Sequence, residues 1–261
     1  MSINKFRPSH KCIYVIPEIR GNIQSLEIIL NRILPLRKFK NQEDIVVFLG
    51  NYIDGDEGSD KVIDCLINIK EEYKDRAIIL RGSYEEIMLR ARNSEHDFTY
   101  WTDGGGINTI AAYSKRAKLN TSPHTIKRNR LQDLIPIKHY EFLNSLDYYS
   151  IIDDYCFFNG GFNNKEAIAE NNKSNFIFDY TSSKYVKECV RNKVDPEFKD
   201  NYIYIAHHNY NGDRPFIHPK YFMLEGLWPQ KMIVMELNSM TMCAISKGKS
   251  RIYPYQFDIH E

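Results

Sequence analysis

Short apolar runs alternate with helix-spaced apolar positions through the first third of the chain. Cys12–Ile16 is an apolar run closed by Pro17, after which Ile23, Leu26, Ile29, Leu30 and Ile33 recur at the spacing of one helix face. Ile45–Leu49 is a continuous apolar run ended by Gly50. Val62, Leu66 and Ile69 mark a second helix, and Ala77–Leu80 a third strand. Strands apolar at successive positions are buried on both faces, so this β-α-β-α-β order predicts an α/β fold with a mainly parallel sheet covered by helices. Ligands of such sheets sit beyond the carboxyl ends of the strands. That singles out three loops, Pro17–Asn22, Gly50–Gly58 and Arg81–Glu86.

From Ile87 to Asn144 the pattern is helical, interrupted by Gly104-Gly105-Gly106 and by a basic stretch holding Lys115, Arg116, Lys118, Lys127, Arg128 and Arg130. Such a run reads as a solvated helical surface, with phosphate contact as the alternative. Strands are predicted at Tyr148–Ile152 and Tyr155–Phe158, joined by a tight turn at Asp153-Asp154. Further strands are predicted at Tyr202–Ala206, Tyr221–Leu224, Met232–Leu237, Met240–Ile245 and Arg251–Tyr255, and Asn163–Ser174 reads as a loop. No repeat or linker-like stretch divides residues 1–261, so one domain with a helical insertion over about 87–144 is expected.

Composition narrows the function classes. The 261 residues carry 35 Lys+Arg against 34 Asp+Glu, which leaves no bulk field to attract nucleic acid or an anionic membrane. With 43% hydrophobic and 26% charged residues the chain is a soluble globular type, and no apolar run reaches the ~18 residues of a membrane span. Met1–Lys11 is polar and lacks the apolar centre of a secretory signal. Cys12, Cys65, Cys156, Cys189 and Cys243 stand singly, which reads as reduced thiols in a cytoplasmic protein, mostly as small buried hydrophobes.

The candidate loops read Pro17-Glu18-Ile19-Arg20-Gly21-Asn22, Gly50-Asn51-Tyr52-Ile53-Asp54-Gly55 and Arg81-Gly82-Ser83-Tyr84-Glu85, followed later by Asn159-Gly160-Gly161 and Ala206-His207-His208. In order, spacing and flanking strands the chain resembles the metallophosphoesterases (the calcineurin-like superfamily), in the bacterial and phage serine/threonine phosphatase branch that includes diadenosine-tetraphosphatase-like enzymes. That family's motifs are GDIHGN, GDYIDRG, RGNHE, HGG and GHT, and the resemblance runs from Ile13 to about Leu237. It implies a β-sandwich flanked by helices. It also implies a site where two divalent cations activate water and clamp a phosphoryl group.

Carried over position by position, the family's ligands are mostly replaced. Its first aspartate is Glu18, its first histidine Arg20, its bridging aspartate Asn51, its ligand asparagine Ser83, its catalytic histidine Tyr84 and its HGG histidine Asn159. The GHT histidine persists as His207 and the RGNHE arginine as Arg81, whereas Gly55 stands where the family has an arginine. Asp54 and Glu85 match carboxylates that hold the loops. A guanidinium has no lone pair to give a metal, so Arg20 is expected to fill the site by pairing with Glu18, while Asn51, Ser83 and Asn159 bond the guanidinium or one another. The expected function is that of a pseudophosphatase, a protein-binding or structural module without cofactor. Alternatives are a metal-free sensor of a phosphorylated protein or nucleotide, its anion held by Arg20, Arg81 and His207, or a residual phosphoesterase using Mn²⁺ or another divalent metal. The remaining histidines (His10, His96, His124, His139, His208, His218 and His260) and Trp101 and Trp228 read as surface or packing residues, and a protein partner is expected rather than membrane or nucleic acid.

Overall fold

The computed structural model describes residues 12–34, 44–208, 215–224, 231–246 and 252–254. Among the described residues, eleven strands form two sheets. In the first, β1 (Ile13–Ile16), β2 (Ile45–Phe48) and β3 (Ala77–Ile79) run parallel, in register Val15 to Val47 and Val47 to Ile78. Three antiparallel strands, β9 (Lys231–Glu236), β10 (Thr241–Ser246) and β11 (Ile252–Pro254), extend it beyond β1. The second sheet has the order β4-β5-β6-β8-β7, built from β4 (Tyr149–Ile152), β5 (Tyr155–Phe158), β6 (Ile203–Ala206), β7 (Phe216–His218) and β8 (Tyr221–Met223).

Side-chain alternation assigns each face. Val15, Val47, Leu49 and Met235 of the first sheet meet Phe157, Ile205 and Phe222 of the second in a core between the sheets. The alternate residues Ile16, Val46 and Phe48 face outward and pack under helices. These are α1 (Ile23–Ile28), α2 (Ser59–Tyr73) and the helical segment between β3 and β4. That segment contains α3 (Ser83–Ala91), α4 (Glu95–Trp101), α5 (Ile107–Arg116), α6 (Leu131–Leu134) and α7 (Ile137–Ser145). Outside the second sheet, Cys156, Phe158, Tyr204 and Ala206 join Phe162, Phe176 and Val186 in an aromatic cluster. Helices α8 (Asn175–Phe178) and α9 (Thr181–Arg191) cover it.

The expectation of a mainly parallel sheet covered by helices is corrected. Only β1–β3 are mutually parallel in the first sheet, and its inner face is covered by a second sheet. An apolar strand reports that both faces are buried but not what buries them. The β-sandwich flanked by helices, implied by the resemblance, is the architecture found. The turn between β4 and β5 is the two-residue Asp153-Asp154, with Asp153 in the left-handed region at φ 52°. Three of the six residues of the basic stretch pair with acids locally, Arg116 with Asp64, Arg128 with Glu95 and Arg130 with Asp133, which favours the solvated-surface reading. Among the described residues no helix is long and apolar enough to cross a membrane. Met1–Lys11, His10, Trp228, Arg251, Tyr255 and His260 lie outside the described residues.

Candidate functional site at the strand tips

The first two loops are stitched together by their backbones. Ile19 and Arg20 both donate N–H bonds to the Asn51 carbonyl, at 3.1 and 2.8 Å, Gly21 donates to Tyr52 at 2.6 Å, and Asp56 donates to Arg20 at 2.7 Å. Arg20, Asn51 and Asp54 all take left-handed backbone, at φ 49°, 59° and 69°. That conformation costs a residue with a Cβ about 1 kcal/mol or more, and the cross-loop bonds hold it in place.

The third loop is fixed by a buried carboxylate. Glu85, fully buried, accepts from the N–H groups of Asn51 (2.9 Å) and Gly82 (2.9 Å) through Oε2, and from Tyr52 (2.7 Å) through Oε1. Burial raises its pKa, and the backbone donors work against that rise. Gly82 has no room for a side chain. A Cβ there would lie 2.3 Å from the Asn51 nitrogen and 2.6 Å from Glu85 Oε2.

Onto this frame the sequence-predicted residues converge in pairs. Ser83 Oγ donates to Asn51 Oδ1 at 3.2 Å, the Ser83 N–H donates to Asn159 Oδ1 at 3.2 Å, and Asn159 Nδ2 donates to the Leu49 carbonyl at 2.8 Å. The expectation that these three polar residues bond one another holds. Glu18 Oε2 faces His207 Nε2 at 3.9 Å, both side chains buried, while the Arg20 guanidinium lies over the Tyr84 ring, 4.5 Å from its centre. A cation on an aromatic face is worth roughly 0.5–2 kcal/mol. His208 turns away from His207 and packs on Tyr180, ring centres 4.0 Å apart.

Two divalent cations do not fit this donor set. Both amide oxygens already accept a Ser83 donor, and neither carries charge. Of the carboxylates at the motif positions, Asp54 and Glu85 accept from loop and helix donors, and Glu18 faces His207. Among the described residues, no three His, Cys, Asp or Glu side chains gather closely enough to hold a metal.

Asp54 binds the second loop to the helical segment. Its Oδ2 accepts from Trp101 Nε1 at 2.7 Å and its Oδ1 from Thr109 Oγ1 at 2.5 Å, while its own N–H donates to Thr109 Oγ1 at 3.1 Å. Burial pushes its carboxyl up to about 7 against the pull of those two donors. The glycine run belongs to the same device. Gly105 has φ 116°, and a Cβ on Gly106 would lie 2.4 Å from the Trp101 indole. Sequence reading gave Asp54 its loop-holding role but missed Trp101 and Thr109. The signal for them was a glycine run that lets an indole approach closely.

Arg81 is engaged within the fold. Its Nη1 donates to Glu86 Oε2 and to the Tyr148 hydroxyl, both at 2.9 Å, and its Nη2 donates to the Asn144 carbonyl at 2.5 Å. Its charge is matched by Glu86, and it ties the start of α3 to the chain entering β4. Among the bystander histidines, His96 and His124 are exposed and His218 is buried. His139, also buried, bridges the Tyr113 hydroxyl (2.7 Å) and Asp64 Oδ1 (3.0 Å). Trp101 is buried in packing, as expected.

No protein-family model matches the sequence, and no curated protein matches it significantly. Solved structures do match in shape. A protein assigned as a diadenosine tetraphosphatase superposes with a TM-score of 0.56 at 10% identity, over 90% of this chain and 93% of its own. A hypothetical protein from Pyrococcus horikoshii OT3 gives 0.51 at 13% identity, over 90% and 87%. A protein serine/threonine phosphatase from Saccharomyces cerevisiae gives 0.50 at 12% identity, over 95% and 79%. The chain therefore shares its fold with these structures, at 10–13% sequence identity.

Proposed function

We propose that this chain is a pseudophosphatase, a phosphoesterase fold without phosphoesterase chemistry, serving as a binding or structural module in a protein assembly. The observation that carries this reading is the donor set at the strand tips. Glu18 faces His207, the neutral Asn51, Ser83 and Asn159 bond one another, and Arg20 brings a positive charge onto Tyr84. At ~5 Å and an effective dielectric of ~20, a dication beside a guanidinium meets about 7 kcal/mol of repulsion. One carboxylate does not offset that for two ions. The Tyr84 phenol replaces an imidazole that would exchange protons near neutral pH. The likeness to phosphatases supports the fold, and a fold does not by itself carry a reaction. The sensor reading is weaker because Arg81 is tied to Glu86.

With Mn²⁺ present, the protein is expected to leave p-nitrophenyl phosphate and dinucleoside polyphosphates intact. A variant combining Arg20→His, Asn51→Asp, Ser83→Asn, Tyr84→His and Asn159→His is expected to gain Mn²⁺-dependent turnover. Hydrolysis by the unaltered protein that disappears with His207→Ala would overturn the proposal.

A further inference from the structure

A polar chain away from the strand tips joins α2, α5 and α7. His139 of α7 is 1% exposed and Tyr113 of α5 is fully buried. The imidazole sits with Nε2 3.0 Å from Asp64 Oδ1 of α2 and Nδ1 2.7 Å from the Tyr113 hydroxyl. A carboxylate accepts only, so Nε2 carries the proton of the neutral ring, and the Tyr113 hydroxyl donates to the bare Nδ1. Arg116 of α5 pairs with Asp64 and reaches Asp60 at 3.7 Å, which closes the chain at the surface. Asp60 and Asp64 of α2, with Tyr113 and Arg116 of α5, are the titratable and charged groups that face the ring. Beside it on α7, Lys138 pairs with Glu71, and Tyr140 lies under Arg92 at the end of α3. The far end of α7 meets the third strand-tip loop. Arg81 Nη2 donates to the Asn144 carbonyl at 2.5 Å, and the Arg81 N–H to the Asp147 carbonyl at 2.8 Å.

We propose that His139 is a pH-operated latch: its neutral ring fastens α7 to α2 and α5, and a second proton on Nδ1 releases α7 and, through Arg81, loosens the third strand-tip loop. A protonated Nδ1 needs an acceptor. The Tyr113 hydroxyl can serve only by turning its own hydrogen away, and among the described residues that hydroxyl bonds His139 alone. A buried donor left without an acceptor is costly. Burial also disfavours the charged ring and holds its pKa below the ordinary value, against the pull of Asp64. The latched state therefore prefers the neutral ring. The open state takes up the proton at the ordinary pKa, so acid shifts the balance toward opening. His139 is a positioning residue in this scheme, acting on the strand tips through the end of α7. The latch goes beyond the silent-site reading and stands whether or not the strand tips turn over a substrate.

The test follows the ring nitrogens of His139 by NMR and the latch by amide hydrogen exchange at Leu143 and Arg81. In the unaltered protein the neutral ring is expected to carry its proton on Nε2 and to titrate below the ordinary value of about 6.5. His139→Gln cannot be protonated, yet it keeps one group to donate to Asp64 and one to accept from Tyr113. The ratio of exchange rates, unaltered protein over His139→Gln, is expected to rise about fivefold at both amides between about pH 7.5 and about pH 5, after correction for intrinsic exchange. Asp54 takes up its proton in the same range, but it is common to both proteins and cancels in the ratio. Asp64→Asn removes the acid that favours the charged ring, so its His139 midpoint is expected to fall further, a result that needs no folded His139→Gln. A neutral ring with its proton on Nδ1, a midpoint at or above about 6.5, or a ratio that stays constant at either amide would overturn the proposal. Phosphatase assays on the same samples keep the two readings apart, since turnover would refute the silent site without touching the latch.

Discussion

A protein carrying Glu85→Ala is expected to lose about 4 kcal/mol of unfolding free energy, the largest effect of any single change at the strand tips. The carboxylate is fully buried and accepts three backbone N–H bonds, from Asn51, Tyr52 and Gly82. Removing it leaves three buried donors without acceptors. A buried unsatisfied donor costs about 1–3 kcal/mol, and the three costs do not add fully because the loops relax. Glu85→Gln keeps the shape but places an NH₂ group against a backbone N–H, so it recovers only part of the loss. Urea denaturation of the three proteins measures this. Equal midpoints for Glu85→Ala and the unaltered chain would show that the loops are held by something else. The same substitution also frees Asn51 from its left-handed backbone, so the Ser83–Asn51 bond is expected to go with it.

Stability is expected to fall as pH rises from about 4 to about 7, and Asp54 is the reason. Its folded-state pKa is about 7, above the ordinary carboxyl value that the unfolded chain shows. In that window the folded state holds the proton and the unfolded state does not. Linkage then gives a negative slope of unfolding free energy with pH. The contribution is fully present below the unfolded value and is lost as pH passes through the folded one. Glu85, also raised by burial, acts in the same direction. The difference corresponds to a loss of roughly 4 kcal/mol across the window. Asp54→Asn mimics the protonated form. Its amide oxygen can accept from Trp101 while its NH₂ group donates to Thr109, so the variant is expected to fold and to show a flatter profile. A slope unchanged in Asp54→Asn would assign the effect to other groups.

Much of the fold is legible in the sequence because strand burial writes itself in alternation. Val47 and Leu49 face the second sheet while Val46 and Phe48 face the helices, and a run apolar at all of these positions fits only a strand covered on both sides. Helix α9 is missed because its inward face holds Ser182 and Ser183 beside Val186 and Cys189. Ser182 is buried as a polar residue, bonding the Tyr221 hydroxyl and the Phe162 N–H, so hydrophobic periodicity cannot find it. Strand β7, only three residues long, is too short to show a period.

The candidate site was legible as a set of positions, and the contacts among them were legible only in part. Substitutions at Arg20, Asn51, Ser83, Tyr84 and Asn159 announce a changed chemistry, and Ser83 does bond both asparagines. Sequence spacing could not say that Glu18 would face His207, from a distant strand end, or that Arg20, on left-handed backbone, would lie on Tyr84. Arg81 reads as an anion ligand by motif, but Glu86, five residues on, holds its guanidinium. The Trp101–Asp54 bond joins residues 47 positions apart, beyond any local pattern.

The most direct measurement is titration calorimetry with Mn²⁺ on the unaltered protein, followed by elemental analysis after removal of unbound metal. A site in which Arg20 carries the positive charge takes up no stoichiometric manganese, and His207→Ala changes neither the heat nor the metal content. Two manganese ions per chain bound at micromolar affinity, and lost in His207→Ala, would contradict the account.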